Sequence, residues 1–234
     1  MIAISHQPNF LPYMGFFHKL SKADVWVASD DVLFSKKGMH NWQYIMENGN
    51  KVKVTVPVSA HHDSRLCDVS LSMPSDNVPK LCKRFMVAYH GAEHHAEGEE
   101  LCCFMESLSG ESRMTDFNLS LTIYLMGKFK LRVKVIRGTT LAPEGRKDDR
   151  IIDICRKIGV DTYLSGKGAM AYHEPDKYRQ AGIKLTYSDY VSLDYGSEPN
   201  LSVIDYVFKC GFDAERAGLH ERGNQTAWHL YTEL

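Results

Sequence analysis

MIAISHQPNFLPYMGFFHKLSKADVWVASDDVLFSKK, residues 1–37, decides how the rest of the chain is read. Ile2, Ala3 and Ile4 form a short apolar run of the kind a buried strand needs. The loop His6-Gln7-Pro8-Asn9-Phe10-Leu11-Pro12 follows. Proline fixes φ and has no N–H to donate, so no regular ladder continues through that loop. Pro12 stands where a helix can open, and residues 15–20 carry it on. Ala23 and the run Val25-Trp26-Val27-Ala28 make a second apolar stretch, closed by Ser29-Asp30-Asp31. The unit is strand, polar loop, helix, strand, polar loop. In an open parallel sheet, ligands bind beyond the carboxyl ends of strands, near a topological switch. Both polar loops leave such ends, so the search for function starts there.

Outward from this unit, the segment from Val32 through Lys36 to Asn41 mixes polar and basic groups and is expected to line the same cleft. Glu47-Asn48-Gly49-Asn50 reads as a turn. Residues 51–58 alternate apolar and polar, a strand with one wet face that Pro57 places near an edge. Residues 61–76 read as a loop with a short strand at 66–71. Residues 78–109 are helical in tendency, broken at His90-Gly91, and a further helix covers 117–128 with Ser112 or Thr115 as its cap. Then come strand 131–136, helix 148–158 stopped by Gly159, strand 161–165, helix 174–180 stopped by Gly182 and strand 183–187. A last helix, 201–210, is expected to be capped by Asn200 and stopped by Gly211. This alternation predicts an α/β fold, a mainly parallel Rossmann-like sheet with helices on both faces. One such domain is expected over 1–211, with a helical insertion at about 78–128 and 212–234 as a loosely docked C-terminal tail.

The 234 residues are enough for one domain with a sizeable core. The formal net charge of −1 gives no bulk electrostatic case for nucleic acid or an anionic membrane. The opening apolar run is too short for a secretory signal, and no window of ~18 apolar residues predicts a membrane span. Cys67, Cys82, Cys102, Cys103, Cys155 and Cys210 have no CxxC spacing, which predicts reduced thiols and a cytoplasmic protein.

Several clusters carry chemistry, each with a plainer reading beside it. His6, Gln7 and Asn9 precede a helix N-terminus, where free N–H groups favour an anion and a histidine can take a proton near neutral pH. The plainer reading is a hydrogen-bonded turn. Asp30 and Asp31 end a strand and suit sugar hydroxyls, an ammonium or Mg²⁺, or else a capped turn. Ser165-Gly166-Lys167-Gly168 lets backbone N–H groups approach phosphate but lacks P-loop spacing, and a connecting turn is the simpler account. His61, His62, His90, His94 and His95 match no standard zinc spacing, so no metal site is expected. GxSxG is absent, so no nucleophile elbow is expected.

These residues resemble the WbqC-like family. The N-terminal signature is carried by Ile2-Ala3-Ile4, the loop from His6 to Pro12, Gly15 to Leu20, Ala23-Asp24, Asp30-Asp31-Val32, Phe34-Ser35-Lys36 and Asn41. Thr55-Val56-Pro57-Val58 is similar to the next block. Arg150, Asp161 to Gly166 and Tyr172 resemble the third, and Asn200 to Asp205 with Cys210-Gly211 the last. Trp42 follows Asn41 where the family usually has arginine, and Lys167 follows Ser165-Gly166; both bear on substrate rather than fold. Phe10-Leu11-Pro12 and Gly15-Phe16 are also similar to the F-x-P loop and helix start of HxGH-type nucleotidylyltransferases. Phe16 stands where their second histidine would be, and His18 comes two residues later.

The resemblance implies a bacterial protein of surface-polysaccharide (O-antigen, lipopolysaccharide) biosynthesis that transfers glycine or a similar acyl group to an amino sugar. The expected partners are a nucleotide-linked amino sugar and an activated donor: an aminoacyl-tRNA, an acyl thioester or an ATP-activated amino acid. A homodimer is compatible with that reading. On it, His6 is the base, Gln7 with nearby N–H groups stabilises the oxyanion, and Asp30 and Asp31 bind the sugar or amine. Lys36, Arg150 and the loop Gly166-Lys167-Gly168 hold phosphate, while Asn9, His18, Lys19, Asn41, Ser165 and Tyr172 complete the substrate-binding set. The loops 6–12, 30–41 and 165–172 are expected to converge. The alternatives are an ATP-using, nucleotidyltransferase-like ligase and a non-catalytic nucleotide-sugar binding protein.

Overall fold

The computed structural model describes residues 1–219. In chain order the elements are β1 (Ile2–His6), α1 (Met14–Ser21), β2 (Val25–Ala28), β3 (Trp42–Glu47), β4 (Asn50–Thr55), β5 (Val58–Ser59), β6 (Ser70–Leu71), α2 (Pro74–Ala88), α3 (His95–Ser107) and α4 (Met114–Lys128). They continue with β7 (Lys134–Arg137), α5 (Gly138–Leu141), α6 (Lys147–Ile158), β8 (Thr162–Ser165), α7 (Pro175–Gln180), β9 (Lys184–Tyr187) and α8 (Val203–Cys210).

The expected α/β architecture is present. Five strands pair in parallel in the order β7-β2-β1-β8-β9. By chain order among these strands that is 3-2-1-4-5, with the direction of winding reversed between β1 and β8. His6 ends β1 and Ser165 ends β8, so both stand at the switch.

Side chains alternate across the sheet with period two and feed two cores. Ile4, Trp26, Ala28 and Leu164 face the larger one, which also takes α1, α2, α3, α4 and α8. Ala3, Val25, Val27 and Tyr163 face the smaller one, where Ile152, Ile154 and Cys155 of α6 meet Tyr178 of α7. α2 ends before His90-Gly91 and α3 begins at His95, so the insertion breaks where the sequence predicts. β3 and β4 form a separate antiparallel pair outside the main sheet.

Three local expectations are corrected. Ser202, not Asn200, caps α8: its Oγ accepts from Ile204 N at 3.4 Å and donates to Leu11 O at 2.9 Å. Asn200 instead turns the chain with φ 61°. α4 has no side-chain cap; Arg113 precedes it, and Thr115 lies buried inside it. The strand expected at 66–71 is a 3₁₀ turn, Leu66–Asp68, followed by the two-residue β6. Ala217 and Leu219 are buried. Residues 220–234 of the expected tail lie outside the described residues.

Candidate active site

β1 delivers His6 to the sheet edge and fixes it by backbone contacts. Its carbonyl accepts from Ser29 N at 3.0 Å and Trp26 Nε1 at 3.1 Å. The ring's Nδ1 is 2.9 Å from Gln7 O. A carbonyl can only accept, so Nδ1 carries the hydrogen and Nε2 the lone pair. Burial, and then the charge of Lys19, lowers the His6 pKa to about 3, which keeps the ring neutral. Phe16 packs against it with ring centroids 4.9 Å apart.

Lys19 is only 8% exposed, and no carboxylate pairs with it among the described residues. Burial lowers its pKa to about 8. Buried cations are normally paired, so this one asks for an anion. Lys19 and His6 line a cavity of about 150 Å³ with Tyr13, Tyr190, Ser188 and the loop Gly166-Lys167-Gly168. The helix α1 begins at its wall. Gly15 is required there, because a Cβ would lie 2.3 Å from the Tyr13 ring and 2.8 Å from Tyr190. Lys167 is exposed and donates from Nζ to Tyr190 O at 3.4 Å. His18 does not line the cavity; its Nε2 is 3.8 Å from the Asp189 carboxylate.

The other expected site residues lie elsewhere or are engaged. Asp30 is fully buried and takes Arg137 Nε at 2.7 Å, Thr139 N at 2.8 Å and Thr139 Oγ1 at 3.0 Å. Asp31 takes Arg150 through both oxygens, at 2.7 and 2.8 Å. The two aspartates therefore tie the end of β2 to β7 and α6. Asn41 donates to Val56 O at 2.9 Å, and Asn9 accepts from His40 Nδ1 at 3.0 Å. Burial lowers His40 to about 4, so that ring is neutral as well. Asn118 of α4 donates to Pro8 O and His40 O, fastening the loop after β1 to the insertion. No residue of 30–41 lines the cavity; that segment braces the His6 loop instead, with Phe10 N on Met39 O at 3.2 Å. Gln7 is half-buried with its amide unengaged among the described residues, Lys36 is exposed, and Tyr172 is 79% exposed.

Two residues that sequence reasoning missed, Asp148 of α6 and His173 just after the third loop, stand behind Ser165. Ser165 Oγ is 2.9 Å from His173 Nε2, and His173 Nδ1 is 2.6 Å from Asp148 Oδ1. Asp148 also accepts from Glu174 N at 2.8 Å and Tyr178 Oη at 2.9 Å. Burial pushes the Asp148 pKa up, but the hydrogen bonds from His173, Glu174 and Tyr178 outweigh it and hold the group below its usual value. A signal existed. Asp148 opens a crossover helix and Ser165 ends a strand, and a parallel reading brings both to the carboxyl edge.

Among the described residues, no three His, Cys, Asp or Glu side chains gather as metal ligands would. No helix there is long and apolar enough to cross a membrane. No solved structure matches the chain. A Mycobacterium tuberculosis protein named "Uncharacterized protein Rv1507c" is 22% identical over 218 residues, covering 89% of this chain and 93% of that protein. The family model that describes the WbqC-like protein family matches residues 7–217, from the loop after β1 to beyond α8. That match takes in every lining residue of the cavity except His6, and the chain belongs to the WbqC-like protein family.

Proposed function

We propose that this protein is a cytoplasmic transferase that forms an amide, moving glycine or a related acyl or aminoacyl group onto the amine of a nucleotide-linked amino sugar for bacterial surface polysaccharide. The observation that carries the reading is Lys19, a buried cation that no described carboxylate pairs with, at the switch-point cavity beside a neutral histidine. Lys19, Lys167 and the N–H groups of the glycine loop suit the diphosphate of the sugar nucleotide. His6 presents a lone pair at Nε2 for the proton of the attacking amine. An anion bound at Lys19 cancels one of the two main causes that depress His6, so substrate binding itself makes the base stronger. The unengaged amide of Gln7 supplies a donor for the tetrahedral oxyanion.

A thermal-shift screen with nucleoside diphosphates, nucleotide-linked amino sugars and ATP tests this, because a ligand that binds only the native state raises the melting temperature. Nucleotide-linked amino sugars are expected to stabilise the wild type and not Lys19→Met, and mass spectrometry is expected to find the amide after addition of an activated acyl donor. Release of AMP or pyrophosphate from ATP and an amino acid would move the assignment to an ATP-using ligase. Absence of stabilisation by every nucleotide sugar would overturn it.

A further inference from the structure

Ser165, His173 and Asp148 form a directional chain of hydrogen bonds at the end of β8. A carboxylate can only accept, so His173 Nδ1 carries the hydrogen and Nε2 accepts from the Ser165 hydroxyl. The proton on Oγ thus already points at a lone pair. Imidazole placed this way takes the proton as the oxygen attacks a carbonyl, and the carboxylate holds the tautomer. The chain order Asp148, Ser165, His173 does not matter, since such a unit is recognised by geometry and roles. Asp148 is itself fixed from two further sides, by Glu174 N and Tyr178 Oη.

Ser165 itself is buried, at 4% exposure, so access to it runs through the loop that follows. Ser165 is the last residue of β8, beside β1 at the switch of winding. At Gly166 and Gly168 a Cβ would meet no heavy atom within 4 Å, so space opens directly after it. The turn that follows, Lys167–Tyr172, has no buried residue. Gly166 and Gly168 are also walls of the His6–Lys19 cavity.

We propose that Ser165 is a catalytic nucleophile that carries an acyl group as an ester, with His173 as its base and Asp148 as a positioning residue. The donor is an activated acyl compound, a thioester or an ester of a good leaving group. Oγ attacks the acyl carbon while its proton passes to His173 Nε2. Collapse of the tetrahedral adduct breaks the bond to the leaving group, which departs with that proton. An amine, freed of its ammonium proton by His6, then attacks the Ser165 ester and gives a second proton to His173. The proton returns to Oγ as the C–O bond breaks, leaving an amide and the free serine. With water in place of the amine, the same sequence is hydrolysis, so the acyl-serine step stands independently of which acceptor the protein uses.

The test uses the full chain and p-nitrophenyl acetate, a small activated ester, with acid quench and peptide mass mapping. The wild type is expected to release one equivalent of nitrophenolate in a burst and to carry acetyl on Ser165. Ser165→Ala, which removes one buried oxygen, is expected to keep its melting temperature and lose the burst. His173→Ala is expected to acylate about 10²-fold slower or worse. Asp148→Asn is expected to slow acylation and move the acid limb of its rate to lower pH, because the imidazole loses its anionic partner; a merely structural aspartate would leave the limb in place. If His173→Ala fails to fold, Ser165→Ala still decides. A folded wild type without acetyl-Ser165, or a burst that survives in Ser165→Ala, overturns the proposal. Neither result depends on a sugar nucleotide, so this test and that of the transferase reading fail separately.

Discussion

Lys19 carries a charge that no carboxylate among the described residues neutralises. Its ordinary pKa of 10.5 falls to about 8 through burial. The folded state therefore gives up this proton before the unfolded state does. Below about pH 8 the cost of holding the charge is fully present, and it fades as pH rises from 8 towards 10.5. A shift of that size corresponds to roughly 3 kcal/mol. Lys19→Met should therefore be more stable than wild type at pH 7, by about 1–3 kcal/mol in urea unfolding, with a smaller gap at pH 10. It should also lose stabilisation by nucleoside diphosphates. A destabilised variant would mean that the lysine finds a partner in solution. His6 acts with the same sign at lower pH. Its pKa drops from 6.5 to about 3, so between those values the unfolded chain binds a proton that the folded chain refuses, and stability falls as pH falls. NMR should find the His6 ring neutral from pH 5 to 8 in the free protein; a midpoint near 6.5 would remove the buried-base account. His6→Ala leaves the backbone bonds to Ser29 and Trp26 in place. It should fold and lose about two to four orders of magnitude in turnover.

The elements were largely legible from their punctuation. Gly159, Gly182 and Gly211 each have positive φ where the sequence reading ends a helix. The central strands β1 and β2 fall on apolar runs because both sheet faces are covered there, while the edge strands β7 and β9 keep polar residues such as Lys134 and Lys184. Caps were less legible. Asn200 and Ser202 are both good cap types two residues apart, and only the contact between Ser202 Oγ and Leu11 O, from the far end of the chain, decides between them. Ser202→Ala should cost about 1–2 kcal/mol, while Asn200→Gly should be neutral or slightly stabilising because glycine accepts the φ of 61° without strain. Equal losses at the two positions would contradict the assignment. The site was half legible for a similar reason. His6 and the glycine loop announce themselves as residues at strand ends. That Asp31 holds Arg150, and that Asp148 and His173 stand behind Ser165, depends on how α6 crosses the sheet. Residue types at separated positions do not encode that register.

At the scale of the molecule, the helical insertion and the last helix close the larger core together, and one glycine sets their distance. A Cβ at Gly98 in α3 would lie 2.2–2.5 Å from ring atoms of Phe208 in α8. That ring has nowhere to go. Phe208 is fully buried and stacked on Tyr89 at 4.7 Å, and Tyr89 is pinned by its hydroxyl to Asp205 at 2.7 Å. His95 packs on the ring edge at 5.7 Å. Two effects compete in Gly98→Ala. Helix propensity favours alanine by about 1 kcal/mol, while overpacking a rigid core costs about 1–3 kcal/mol. With the ring clamped from both sides the cost takes the upper end, so the variant should lose about 1–2 kcal/mol net. At about 2–4 °C per kcal/mol its melting temperature should fall by about 2–8 °C. Gly127→Ala in α4 supplies the opposite sign. That glycine is exposed, and a Cβ there meets nothing within 4 Å, so propensity acts alone. It should gain about 0.5–1 kcal/mol. Because Asn118 of the insertion also holds the carbonyls of Pro8 and His40, the insertion and the site loop should melt as one unit. Calorimetry of Gly98→Ala should show a single transition moved downward. An early separate transition, with nucleotide-sugar binding retained above it, would show that the insertion folds apart from the sheet and that the site does not lean on it.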